Sequence, residues 1–228
     1  MAEEVPDVAT FASPAESTLI YCFADRLIRT PGHLETSQKV PLAGVSVSRN
    51  VLVNTLFAAA FGSLASRGKL SFGEVEHKTL FIKTKHVVVA FAPQATTDDE
   101  SPASLEFDIL KFGSQLKDPT VKDVVRAIYG GDVPDPQGRV LMFVSANMIK
   151  AGLIGTHTVE RHGLVGKIAG NKTEPIQLAD RIRPLAPQAD SAWAAYQAWH
   201  AKEPLADKIL TEISAGVASR RKSDTDDD

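Results

Sequence analysis

The side chains that could do chemistry in this sequence are six histidines, one cysteine and several short groups of cations. His33, His77, His86, His157, His162 and His200 form no H-x-x-x-H or H-E-x-x-H pair, the spacing that sets two imidazoles on one helical face around zinc. His77 and His86 fall in one expected hairpin, and His157 and His162 in another. A strand pair brings two imidazoles together, but with no third ligand neither hairpin predicts a metal. Cys22, the single cysteine, rules out an internal disulfide and reads as a small buried hydrophobe. There is no G-x-S-x-G elbow, P-loop or Rossmann fingerprint, and the glycines of "GSQLKD" and "YGGD" lack the strand-to-helix setting that cradles phosphate. These absences argue for a protein that is not an enzyme and needs no metal or cofactor. The cations remain. "LASRGKLSF", Leu64 to Phe72, places Arg67 and Lys69 around Gly68, and "HKTLFIKTKH" alternates Lys78, Lys83 and Lys85 with Leu80, Phe81 and Ile82. Cations interleaved with apolar residues suit a phosphate group at a lipid surface, a solvated hairpin or an oligomer contact.

The elements that must position these residues follow from periodicity. "STLIYCFADRLIRTPG" sets Leu19, Ile20, Phe23, Leu27 and Ile28 at helical spacing before Pro31-Gly32. A Pro-, Gly- and Ser-containing loop, 30–48, leads into an apolar helix from Val51 to Ala65. Its length is about 22 Å, short of a ~30 Å hydrocarbon core, so it reads as a buried central helix. Arg67 closes it, with Gly68 where a left-handed C′ residue belongs. The period then switches to 2 through "GEVEHKTLFIKTKHVVVAFA", a hairpin with one solvated and one buried arm. "LEFDILKFGSQL" is helical up to the Asp118-Pro119-Thr120 break. Val121, Val124, Val125, Ile128 and Tyr129 form one face of the next helix, stopped by Gly130-Gly131. "QGRVLMFVSANMIKAGLIG" is a further helix ending in Gly152, followed by a second hairpin with its turn expected at Arg161-His162-Gly163. A closing helix stacks Trp193, Tyr196 and Trp199 and breaks at Pro204.

The sum is a mostly α protein: one helical domain with two short β-hairpins. Its 228 residues suffice to bury a core without staples, and 43% hydrophobic and 23% charged residues are ordinary globular values. The boundaries expected are a disordered leader over 1–16, a single globular domain over 17–215 and a charged tail over 216–228. The leader has neither the basic nor the apolar region of a secretory signal. One cysteine suits a reducing, cytoplasmic setting.

Helix, basic Gly turn and hairpin occur twice, at "LASRGKLSF" and "MIKAGLIGT", the cadence of a winged-helix pair. A recognition helix, however, needs Arg, Lys, Asn or Gln along a free face to read base edges. The first helix offers Asn54 and the second Asn147 and Lys150, and the net charge is −3. Nucleic acid is therefore a disfavoured partner, and a winged-helix-like cytosolic regulator of nucleic acid or protein stands as the alternative reading.

The ordered set "LFAAAFGSLASRGKLSF", "KTLFIKTKHVVVAFAP", "SLEFDILKFGSQLKDPTVKDVVRAIYGGD" and "NMIKAGLIGTHTVERHGLVGKIAGNKTEP" resembles the Golgi phosphoprotein 3 family over Ser17 to Leu185. The resemblance lies in the small-residue helix closing on Arg67-Gly68-Lys69-Leu70, the turn at Asp118-Pro119-Thr120, the Gly152-Leu153-Ile154 turn and a last strand ending at Pro175. It implies a mostly helical domain with helix-hairpin repeats, peripheral at the membrane surface, that binds phosphatidylinositol 4-phosphate and retains client proteins. It also implies a hairpin, Lys78, Phe81, Lys83 and Lys85, that touches the membrane or a second copy. Counted from Arg67-Gly68, the family's pocket tryptophan falls on Ser48 and its helix arginine on Phe57. Counted back from Gly152, its paired arginines fall on Gly138 and Leu141. Arg49 and Arg139 stand one place from these positions, so the headgroup site is expected at Ser48, Arg49 and Arg139. The alanine-rich composition fits a bacterial-type relative, binding an anionic lipid or a protein partner.

Overall fold

The computed structural model describes residues 14–29, 37–39, 46–79, 82–101, 104–129, 133–159, 172–177 and 179–218. Most of the leader, the turn expected at 161–163, Phe81, His33 and the end of the tail lie outside them. The chain is mostly helical, with three two-stranded antiparallel sheets among the described residues rather than the two hairpins expected. The third, β1 (Ser37–Lys39) with β2 (Ser46–Ser48), falls in the segment expected to be a loop.

At the centre is α2 (Arg49–Ser66), with Leu52, Val53, Leu56, Phe57, Phe61 and Leu64 all at 0% exposure. Apolar residues occur all round it, so it is enclosed on every side. The surrounding layer is α1 (Glu16–Cys22), α3 (Leu105–Gly113), α5 (Pro136–Lys150), α7 (Ala186–Lys202) and α8 (Ala206–Ala218). α4 (Val121–Tyr129) packs on α3 and α8. Its expected face, Val121, Val124, Val125, Ile128 and Tyr129, is buried. The short α6 (Ala179–Ile182) leads into α7 through a 3-10 turn. Among the described residues no helix is long and apolar enough to cross a membrane.

Both repeated helix ends share one device. After α2, Gly68 has φ 69°, its N–H donates to the Ala65 carbonyl, and Lys69 N–H donates to the Leu64 carbonyl, both at 2.9 Å. After α5, Gly152 has φ 67°, and its N–H and that of Leu153 reach the Ile149 and Met148 carbonyls at 3.0 and 2.8 Å. Each is a Schellman turn, which satisfies two carbonyls that a helix end leaves open and needs a residue without Cβ strain at C′. Each leads directly into a hairpin: β3 (Leu70–Thr79) with β4 (Ile82–Phe91), and β5 (Ile154–Val159) with β6 (Lys172–Gln177).

Three expectations need correction. The first helix stops at Cys22 and tightens into a 3-10 turn, Ala24–Arg29, where Arg26 pairs with Asp190 and lies 6.0 Å from the Trp193 ring centre. These tertiary contacts outweigh a helical pattern that extends to Ile28. The second hairpin pairs β5 with β6 from Ile154 opposite Gln177 to Val159 opposite Lys172, and its expected turn lies outside the described residues. Pro175 does not end β6, which runs to Gln177; a two-stranded sheet gives each strand an open edge, where a missing N–H is tolerated. Finally, α8 continues to Ala218 with Gly216 and Val217 buried, where a charged tail was expected from residue 216. The break at Pro204 falls between α7 and α8 as expected.

Candidate functional site: converging starts of α2 and α5

Ser48 ends β2 and caps α2, its hydroxyl accepting from Val51 N–H at 3.4 Å. Arg49, the first residue of the helix, is a cation at the positive end of a helix dipole, a placement that calls for a nearby anion. Asp135 supplies it. Arg49 Nη2 donates to Asp135 Oδ2 at 3.2 Å, while Asp135 Oδ1 caps α5 by accepting from Gly138 N–H at 2.9 Å. Beside this pair, Gln137 Nε2 donates to Asn50 Oδ1 at 3.4 Å. The two helix starts, far apart in sequence, therefore meet.

Arg49 Nε is buried with no hydrogen-bond partner among the described residues, and its side chain is 22% exposed. A Cβ at Gly138 would lie 2.2 Å from Asp135 Oδ2 and 2.9 Å from Arg49 Nη2, so a larger residue there would displace the ends of both side chains. Arg139, one position on, is exposed, with its guanidinium 5.3 Å from the Phe143 ring centre. The structure thus brings Ser48 and Arg49 together with the helix turn that carries Arg139. Phe57 and Leu141, the other positions counted from the family pocket, are buried in the core at 0% and 5% exposure. Arg49 and the α5 start already hold one anion, the Asp135 carboxylate, and Arg139 stands one position beyond Gly138.

The hairpin lysines are placed differently. Lys83 Nζ lies 2.8 Å from Glu76 and Lys85 Nζ 3.3 Å from Glu74, while Lys208 from α8 also reaches Glu74 at 2.9 Å. Hydrogen bonds from Lys208 and then Lys85, together with their charges, hold the Glu74 carboxyl below its ordinary range. The cations read as a lipid contact are matched by carboxylates on the same hairpin. Of Lys78 only the backbone, opposite Lys83, is described. His86 Nδ1 lies 2.9 Å from Glu212 Oε1 on α8. No cluster of three metal-ligating side chains occurs among the described residues.

Reasoning from sequence missed the polar interior. Glu106 on α3 accepts from Ser17 N–H at 2.9 Å and Ser17 Oγ at 2.6 Å, which caps the start of α1; burial pushes its carboxyl upward. Thr18 donates to Asn147 Oδ1 at 2.6 Å, and Asn147 Nδ2 donates to Ser101 at 3.1 Å. Arg67, read as a simple helix stop, also forks onto Glu100 at 2.7 and 3.0 Å. A cavity of about 180 Å³ lies among Glu16, Ser63, Arg67, Glu100 and Glu106. No local pattern announces these partners, because the members of each pair are far apart in sequence. Cys22 is fully buried, and burial pushes its thiol up to about 12, which leaves it unreactive at neutral pH. No family model, curated protein or solved structure matches the chain.

Proposed function

We propose that this protein is a non-enzymatic peripheral membrane adaptor similar to Golgi phosphoprotein 3, which binds phosphatidylinositol 4-phosphate or another anionic lipid headgroup at the cytoplasmic surface. The carrying observation is the meeting of Arg49 with the Asp135–Arg139 turn. Two arginines and two helix starts are the donors a phosphate monoester needs, and the Asp135 carboxylate that Arg49 and the Gly138 N–H hold supports the reading. The finer fold assignment, a helical domain of that family's type with winged-helix-like repeats, rests on the order of segments and on the shared Schellman turns before β3 and β5. Client proteins, and a second copy docked through the β3–β4 hairpin, belong to the same reading.

Sedimentation with phosphatidylcholine vesicles, with and without phosphatidylinositol 4-phosphate or phosphatidylglycerol, tests it. The double variant Arg49→Glu and Arg139→Glu should lose most of the bound fraction at low salt. Unchanged sedimentation removes both residues from the site.

The alternative, a winged-helix-like regulator, is favoured by the helix-turn-hairpin repeat alone. Against it, α2 is enclosed and Asn147 is turned inward onto Thr18 and Ser101. No sedimentation on any anionic vesicle, together with a duplex shifted on a gel, would replace the lipid reading with this one.

A further inference from the structure

The solvent side of α5 is apolar where a surface helix is ordinarily polar. Met142 and Ile149 are 53% and 52% exposed, two of the four exposed large hydrophobics among the described residues. At 100° per residue, Arg139, Met142, Phe143, Ala146, Ile149 and Lys150 fall within an arc of about 120°. The buried residues Val140, Leu141, Val144, Asn147 and Met148 occupy the opposite side. Arg139 and Lys150 therefore stand about 16 Å apart at the two ends of an apolar stripe, and α5 itself contains no acidic residue. Acids flank it at the ends: Asp135 is engaged by Arg49 and Gly138, and the buried Asp108 lies within Coulombic range of Lys150.

Apolar side chains between cations, lengthwise on one helix, are the chemistry of an element lying flat in a lipid interface: the chains enter the acyl boundary and the cations meet phosphates. We infer that the outward stripe of α5, and not the β3–β4 hairpin, is the surface that this protein lays against an anionic bilayer. The inference rests on the membrane reading above. Charge complementarity selects the occupant, since the stripe's exposed charges are both positive, whereas the described lysines of the hairpin face their own glutamates. The stripe begins one turn along α5 from Asp135, the carboxylate that Arg49 holds, so a headgroup held there would belong to a lipid whose neighbours lie beneath α5.

The test uses the full chain with single cysteines at Met142, Ile149 and Lys83, each carrying an environment-sensitive fluorophore; the buried Cys22 stays unlabelled. Vesicles of phosphatidylcholine with phosphatidylglycerol or with phosphatidylinositol 4-phosphate should brighten and blue-shift the probes at 142 and 149 and leave that at 83 unchanged. Met142→Asp with Ile149→Asp should weaken vesicle binding roughly tenfold or more, with an unchanged thermal midpoint. A shift at 83 alone, or wild-type sedimentation without a shift at 142 and 149, overturns the inference and leaves the lipid reading standing. Absence of sedimentation for the wild type overturns both. Dissociation of a dimer by the double aspartate variant, with vesicle binding intact, assigns the stripe to a second copy and overturns the inference.

Discussion

α2 and α5 end in the same way and live in different surroundings. Both close on a Schellman turn at a positive-φ glycine and both feed a hairpin. α2 is walled in by its neighbours, with no charge between Arg49 and Arg67, whereas α5 packs one side and turns Met142 and Ile149 outward. The first hairpin is also tied to α8 by Lys208–Glu74 and His86–Glu212, and to the start of α4 by Val89 N–H on the Pro119 carbonyl at 2.8 Å. A repeated backbone device therefore does not make a repeated function: the first unit builds the core and the second has a free surface. That contrast fails if the two helices respond alike to truncation.

The largest expected difference lies inside α2. Phe57→Ala empties a site at 0% exposure and should cost about 3–5 kcal/mol, read by urea denaturation. A loss below about 1 kcal/mol would mean that α2 is not the centre of the core.

Next comes an effect of pH on α3, at a carboxyl that feels the charge of Lys150 at the end of α5. Burial, opposed by the charges of Lys111 and Lys150, raises the Asp108 carboxyl from 3.8 to about 6. As pH climbs from about 4 to 6 the unfolded chain gives up this proton before the folded one does, so stability falls with rising pH and levels off above that window. The fall across the window is about 3 kcal/mol at most, and less where water reaches the carboxyl. Asp108→Asn should flatten that part of the profile and stabilise the protein at pH 7; Glu106, raised in the same direction, leaves a residual slope of the same sign. Because the lowered Glu74 carboxyl contributes a slope of the opposite sign, the reading is the difference between the two proteins: an Asp108→Asn profile parallel to the wild type between pH 4 and 6 would contradict the buried placement of Asp108.

The glycine turns sharpen the likeness between the two units. Gly68→Ala and Gly152→Ala each force a side chain into left-handed backbone, at about 1–2 kcal/mol. At Gly68 nothing lies within 4 Å of an added Cβ, so strain alone acts there. Closely matched losses in thermal midpoint support a common device, and a large imbalance separates the two turns.

Local signals were legible in the sequence and long-range ones were not. The glycine stops, the buried face of α4, the enclosure of α2 and the break at Pro204 follow from spacing, because each is decided within one element. The β1–β2 pair has no apolar alternation to announce it, and its partner residues are mainly Ser, Gln and Lys. Arg67 finds Glu100 and Ser17 finds Glu106 only after the chain has folded. At the candidate site, Ser48, Arg49 and Arg139 could be named by counting from two turns, but the carboxylate that Arg49 holds, Asp135, could not. The apolar residues of α5 were equally visible, but packing against α1 and α2 decides which of them face out.

The smallest expected effect lies on that outward side. If it makes no contribution to the core, Met142→Ala changes folding free energy by no more than about 0.5 kcal/mol, since a side chain 53% exposed leaves little cavity behind. The measurement is a denaturation midpoint beside that of Phe57→Ala. A loss approaching about 2 kcal/mol would place Met142 in a packed interface, and α5 would then resemble α2 in its surroundings as well as in its ending. A neutral result places Met142 outside the packed core, so that α5 and α2 differ in their surroundings although they end alike.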